Sequence, residues 1–293
     1  MEQSKPILET TEISKSFGSI DALKRVSIRF AGNGIYGLFG RNGAGKTTLL
    51  NILSSRIYAD LGNVTCFGED ISDNPEIIAE NLCYMPEKHY FPARFRVNKL
   101  LDYGKMFFPN YSEEYADKLC RDFKLNTQQK YEQLSRGHQS ILRIVLGMAS
   151  NAAITIFDEA VLGLDAVARD RFYSELIEEF SRHPRLFIIS THLIEESADL
   201  FNEAVILHKG KVIRHASVDE LLANAFYVSG KTARVDAFIQ NRTVMGYRVV
   251  NDLKTAVVEG KLKDLKQSPG LRFSPVTIQK LFIHLTDDKV EQE

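Results

Sequence analysis

Gly40-Arg41-Asn42-Gly43-Ala44-Gly45-Lys46-Thr47 stands between an apolar run, Ile35-Tyr36-Gly37-Leu38-Phe39, and a helix-forming stretch from Thr47 to Ser55. The run has the length and composition of a buried parallel strand. The octapeptide fills every fixed position of the phosphate-loop pattern GxxxxGK[ST], in the strand–loop–helix setting that the pattern needs. Its glycines let backbone N–H groups turn inward on phosphate oxygens, and the start of the helix adds partial positive charge. Gly40, Asn42, Gly43, Ala44, Gly45 and Thr48 are therefore candidate nucleotide-binding positions. Lys46 would reach the β- and γ-phosphates, and the Thr47 hydroxyl would ligate Mg²⁺.

Further along, Ile154-Thr155-Ile156-Phe157-Asp158-Glu159 is an apolar strand that ends in two acids. Carboxylates at the carboxyl end of a strand stand where α/β sheets bind ligands. Asp158 is the expected partner of Mg²⁺, and Glu159 the candidate general base for an attacking water. The next apolar run, Leu186 to Ile189, leads into Ser190-Thr191-His192, which brings His192 to the same sheet edge. A helical stretch from Asp170 to Arg182 lies between the two runs. Strand, helix, strand in that order argues for a parallel sheet. A second helix is expected over Ser140 to Ala149.

The bulk properties agree with a globular α/β chain. At 293 residues there is room for one sizeable domain and a small second one. The formal net charge of −1 gives no basic excess, so nucleic acid is not an expected partner. Cys66, Cys83 and Cys120 form no CxxC pair, which suits free, mostly buried thiols. Residues Met1 to Ser14 show no apolar signal-peptide core, and no apolar stretch approaches the length of about 18 residues that a transmembrane helix needs. The chain is not expected to cross a bilayer by itself.

Ile7 to Phe30 reads as short strands around a turn at Gly18-Ser19. Between about 88 and 150 the pattern becomes helical, after an aromatic cluster, His89 to Phe95. Tyr90, Phe91 and Phe95 would either dock a partner protein or form a small satellite core. After Leu222 the pattern changes to short strands and helices, and residues 224–293 read as a small α+β accessory unit. The main domain is expected over 1–223.

Leu134-Ser135-Arg136-Gly137-His138, just ahead of the helix leading to the acidic strand, narrows the field. It resembles the LSGGQ signature of ABC transporter ATPases, and the rest of that family's set is in order over residues 5 to 222. Phe17 looks like the aromatic that stacks on adenine, Gly163-Leu164-Asp165 like the D-loop, and His192 like the switch histidine. Glu87 stands where most members have the Q-loop glutamine, and the resemblance makes it a further residue of the metal site. Arg136, His138 and Ala160 also depart from the commonest pattern. The Pro86-Glu87 pair, the basic residue in the signature, and Val276 to Thr286 (similar to a "LEEIFLxLT" ending) resemble the exporter subgroup that pairs with ABC-2-type membrane subunits. That ending also reads as a plain amphipathic helix.

The resemblance implies a P-loop, RecA-like ABC ATPase core with an antiparallel β subdomain and a helical subdomain. Its ligands would be ATP and Mg²⁺. It implies a second ABC ATPase subunit, identical or related, whose Ser135, Gly137 and Asp165 equivalents complete each ATP site. It also implies a separate transmembrane permease subunit, which would hold this chain at the cytoplasmic face of the cell membrane. The alternatives are a non-transport ABC-type ATPase and a weakly hydrolysing regulatory subunit.

Overall fold

The protein is described by a computed structural model covering residues 6–88, 91–264 and 268–287. Two long strands, β1 (Pro6–Phe17) and β2 (Ile20–Ala31), pair antiparallel around a turn in which Gly18 takes a φ of +60°. They are longer than the short strands expected. β3 (Gly34–Gly40) follows and ends in the phosphate loop, which opens into α1 (Lys46–Leu53). β4 (Leu61–Cys66) and β5 (Glu69–Asp70) complete a four-stranded antiparallel sheet of order β2-β1-β4-β5. A short helix, α2 (Glu76–Asn81), leads into β6 (Leu82–Met85).

Three helices come next: α3 (Val97–Phe107), α4 (Glu113–Asp122) and α5 (Arg136–Ala149). After them the chain enters β7 (Ile154–Asp158), α6 (Ala166–Arg182), β8 (Leu186–Ser190), β9 (Glu203–His208) and β10 (Lys211–Ser217). The central sheet runs β10-β9-β3-β8-β7-β6, and every neighbouring pair except β9–β10 is parallel. α5 and α6 both begin earlier than their apolar patterns suggest. Ser135 caps α5 by accepting from the His138 N–H, and Asp165 caps α6 by accepting from the Ala168 N–H.

The parallel strands are buried along their length, yet their alternation still sorts side chains between two cores. Ile35 and Phe39, Phe157, Phe187 and Ile189 face the core under α3 to α6. Tyr36 and Leu38, Ile154 and Ile156, Leu186 and Ile188 face the one under α1 and the β1–β2 hairpin. Phe172 of α6 meets Phe157 edge-on at 5.5 Å, and neither ring is exposed. Phe172→Ala is expected to cost about 3–5 kcal/mol, the usual range for truncating a fully buried aromatic. Urea unfolding would check this, and a loss below about 1 kcal/mol would mean the site collapses without a cavity.

Beyond α7 (Val218–Ala223) lie β11 (Ala225–Lys231), α8 (Thr232–Ile239), β12 (Val244–Val250), β13 (Leu253–Glu259) and β14 (Leu271–Pro275), in an antiparallel sheet of order β12-β13-β11-β14. Phe226, Val228, Val235, Ala256 and Val258 form a small core of its own. The opposite face is not independent: Ala225, Val257, Val276, Ile278 and Leu281 join the large core beside Leu200 and Phe201. The last helix, α9 (Ile278–Thr286), packs back on α7 and on the 3₁₀ turn Glu195–Leu200. A boundary at 223/224 thus separates two sheets that share one core.

His284 anchors α9 on this sheet, half-buried with its ring edge-on to Tyr227 at 6.2 Å. Burial holds its pKa below the ordinary 6.5, with Asp287 raising it and Lys280 lowering it further. A depressed folded value means that the neutral ring favours the docked helix. This contribution is complete above about 6.5 and is lost as pH falls through the lower folded value. Hydrogen exchange in α9 is therefore expected to speed up on acidification below that point, and to do so less in His284→Phe.

Candidate nucleotide site

β3 and α1 fix the two ends of the loop 41–45. Gly43 (φ +79°) and Gly45 (φ +106°) adopt left-handed backbone, and a Cβ on Gly45 would come within 2.5 Å of the Ala22 carbonyl. Gly45 supplies no side-chain cap to α1, so the helix start keeps its N–H groups for a ligand. Residues 40–48 line a cavity of about 950 Å³. Lys46 is only 8 % exposed and folds over the loop, its Nζ donating to the Gly40 carbonyl at 2.7 Å.

The parallel register pairs Asp158 with Ser190, which carries Glu159 and His192 past adjacent strand ends to the same cavity. Thr47 Oγ1 donates to Asp158 Oδ2 at 2.9 Å, and the Tyr84 hydroxyl lies 3.4 Å from the same oxygen. Asp158 Oδ1 is buried and accepts no hydrogen bond. Such an orphaned carboxylate oxygen is costly in protein and suits a hard cation. Thr47, Asp158 and the cavity-lining Glu87 are thus chemically fit for Mg²⁺. Among the described residues no group of three or more His, Cys, Asp or Glu side chains could hold a metal alone.

Glu159 sits at φ +50°, a left-handed conformation that costs a non-glycine residue about 1–3 kcal/mol. Its N–H donates to the Ser190 carbonyl at 3.0 Å, and its Oε2 lies 2.8 Å from His192 Nδ1. Burial pushes the Glu159 carboxyl up, while His192 and Lys46 pull it back down. A carboxylate held on a strained backbone next to an imidazole is a pre-oriented proton acceptor.

Four expected nucleotide contacts lie elsewhere in the chain. Phe17 is half exposed, with Lys15 Nζ 5.6 Å from its ring centroid, and does not line the cavity; Ile20 and Ala22 of β2 do. Ser135, Gly137 and Asp165 also lie outside the cavity wall. Ser135 and Asp165 cap helices, and Gly137 lies so close to the Gly163 carbonyl that a Cβ would meet it at 2.8 Å. Arg136 is exposed, and His138 Nδ1 is 3.3 Å from the Ser135 hydroxyl.

The aromatic cluster divides as well. Phe91 packs edge-on to Tyr131 and Phe95 stacks on Tyr103, both against the large core, as a satellite core would; Tyr90 lies outside the described residues. One feature had no signal in the sequence: α9 reaches the site. Phe282 lines the cavity, and Arg41 Nη1 donates to the Thr286 carbonyl at 3.3 Å.

Comparison with known proteins follows the same lines. Residues 23–162 match the family model described as ABC transporter. An ABC transporter ATP-binding protein, YtrB of Bacillus subtilis, is 29% identical over 215 residues, 73% of either chain. The bacitracin transport ATP-binding protein BcrA of Bacillus licheniformis is 25% identical over 287 residues, 94% of either chain. Among solved structures, the dimeric bacterial ABC transporter cassette MJ0796 superposes with a TM-score of 0.66 over 72% of this chain and 98% of its own, at 18% identity. With its phosphate loop, signature and acidic strand all inside the matched segment, residues 23–162 of this chain carry the domain that the ABC transporter family model describes.

Proposed function

We propose that this chain is an ATP-binding and ATP-hydrolysing subunit of an ABC transporter, working as a pair of cassettes on a separate permease. The observation that carries this reading is the Glu159–His192 contact of 2.8 Å, set in one cavity with Lys46 and Asp158. On ATP binding, Lys46 exchanges the Gly40 carbonyl for the β- and γ-phosphates. Thr47, Asp158 and Glu87 would hold Mg²⁺, which would supply charge neutralisation at those phosphates. Glu159 accepts the proton of the attacking water, and His192 holds the carboxylate in its acceptor orientation.

Ser135, Gly137 and Asp165 stand away from their own chain's cavity, which supports a role for them on the nucleotide of a partner cassette. Two such chains would then bury two ATP molecules across a two-fold interface and separate when the γ-phosphate is lost. Among the described residues no helix is long and apolar enough to cross a membrane, and this reading assigns the membrane-spanning part to a permease subunit at whose cytoplasmic face the chain works. Proteins named for bacitracin transport and Nod factor export align over 94% and 99% of this chain and one named for arabinose import over 71%, and the wider coverage supports the exporter reading.

Affinity isolation of the full-length chain from detergent-extracted membranes tests the proposal. A multi-span protein should co-purify and its presence should raise ATP turnover. ATP turnover with no membrane partner would favour a non-transport ATPase instead.

A further inference from the structure

Among the described residues two arginines are buried, Arg143 and Arg185, and they are satisfied in different ways. Arg185, 6% exposed, pairs with Glu179 at 3.1 Å, donates to the Met148 carbonyl and to Asn151, and so ties β8 to its neighbours by an ordinary buried ion pair. Arg143, on α5 and also 6% exposed, has no carboxylate within ion-pair distance among the described residues. A buried charge without an ionic partner is expensive. Burial lowers the pKa of this guanidinium, and Tyr131 and the carboxylates of Glu87 and Asp158 raise it in part.

What Arg143 has instead is a set of neutral acceptors at 2.7 Å. Nη1 donates to the carbonyls of both Pro86 and Glu87, just past the end of β6. Nη2 donates to Ser140 Oγ, one turn earlier on α5, and that hydroxyl passes its own hydrogen to the Leu162 carbonyl at 2.7 Å. Both outer ends of this relay reach the nucleotide cavity, since Glu87 and Leu162 line its wall. The helix in the middle is the one that Ser135 and Gly137 open. One guanidinium thus joins the main chain beneath Glu87, the turn that follows Glu159, and the signature helix.

We propose that Arg143 is a positioning residue for hydrolysis: through Ser140 it fixes the Glu87 loop and the turn after Glu159 to the signature helix, so that the three move as one unit. This rests on the functional reading above. A planar donor fork is needed for the task, because one group must serve acceptors in different directions. An apolar residue would remove the cost of the charge but leave the Pro86 and Glu87 carbonyls without their donor. Because the relay touches the main chain of the cavity wall and no phosphate-binding group, its loss should act on turnover and leave nucleotide affinity in place.

The experiment compares Arg143→Gln, Arg143→Lys and Ser140→Ala with the unaltered full chain, measuring kcat, KM for ATP, Mg²⁺-free nucleotide affinity and thermal unfolding. Arg143→Gln is expected to lower kcat about tenfold or more with affinity changed less than about twofold. Arg143→Lys, keeping the charge but serving fewer acceptors, should recover part of that loss. Ser140→Ala, which keeps the guanidinium and cuts only the link to Leu162, should lower kcat severalfold. The proposal is overturned if the variants turn over ATP at the original rate, or if kcat falls only in step with folded fraction or nucleotide affinity. Should Arg143→Gln not fold, Ser140→Ala decides alone, an unchanged kcat overturning the idea. Absence of turnover in the unaltered chain would instead sink the functional reading.

Discussion

Glu159→Gln is expected to bind ATP with near-normal affinity and to turn it over at least about a hundredfold more slowly, in the range that general bases contribute. The substitution is close to isosteric, so the amide can still bond His192, and the Glu159 N–H to Ser190 carbonyl contact is untouched. What disappears is the proton acceptor. Burial and the nearby Asp158 raise the pKa of the Glu159 carboxyl, and His192 and Lys46 oppose that only in part. Removing the charge from a buried, strained position relieves the cost of burying it, so thermal stability should hold or rise. Single-turnover measurements separate binding from chemistry. Unimpaired turnover in this variant would falsify the assignment of Glu159 as base. If the two-cassette arrangement is right, size-exclusion chromatography with ATP should also show the variant accumulating as a dimer.

The parts of this site that were legible in the sequence are those built from continuous local pattern. A strand buried on both faces reads as an unbroken apolar run, so β3, β7 and β8 stand out, and each delivers its chemistry at its carboxyl end: Gly40, Asp158 and His192. Helix starts were less legible where a motif residue doubles as a cap. Ser135 and Asp165 carry family motifs, but their hydroxyl and carboxylate also accept the first-turn N–H groups of α5 and α6, which extends both helices beyond their apolar stripes. Tertiary contact was not legible at all. The amphipathic ending Ile278–Thr286 announces a helix, but nothing in its period says that Phe282 will reach the cavity or that Arg41 will bond Thr286. The half-exposed Phe17 shows the converse, a motif residue whose place in the pattern does not by itself bring it to the cavity wall.

Lys46→Ala should weaken ATP binding by about two orders of magnitude or more. The variant loses at least one charge-assisted bond to phosphate, at about 1.5–3 kcal/mol each, together with a buried positive charge facing a triphosphate. The fold should tolerate the change, because the Gly40 carbonyl that Lys46 now serves borders a wide cavity and can be hydrated. The Thr47–Asp158 bond and the left-handed Gly43 and Gly45 are independent of the lysine side chain, so the loop keeps its shape. The defect should therefore grow with the number of phosphates, small for AMP and large for ATP, since Lys46 addresses the far end of the chain. Isothermal titration with AMP, ADP and ATP in the presence of Mg²⁺ reads this directly. A uniform loss across the three nucleotides would mean that the lysine shapes the loop and does not hold phosphate. Undiminished ATP affinity would mean that the loop at Lys46 is not the phosphate site, and that Asp158, Glu159 and His192 do not surround a nucleotide.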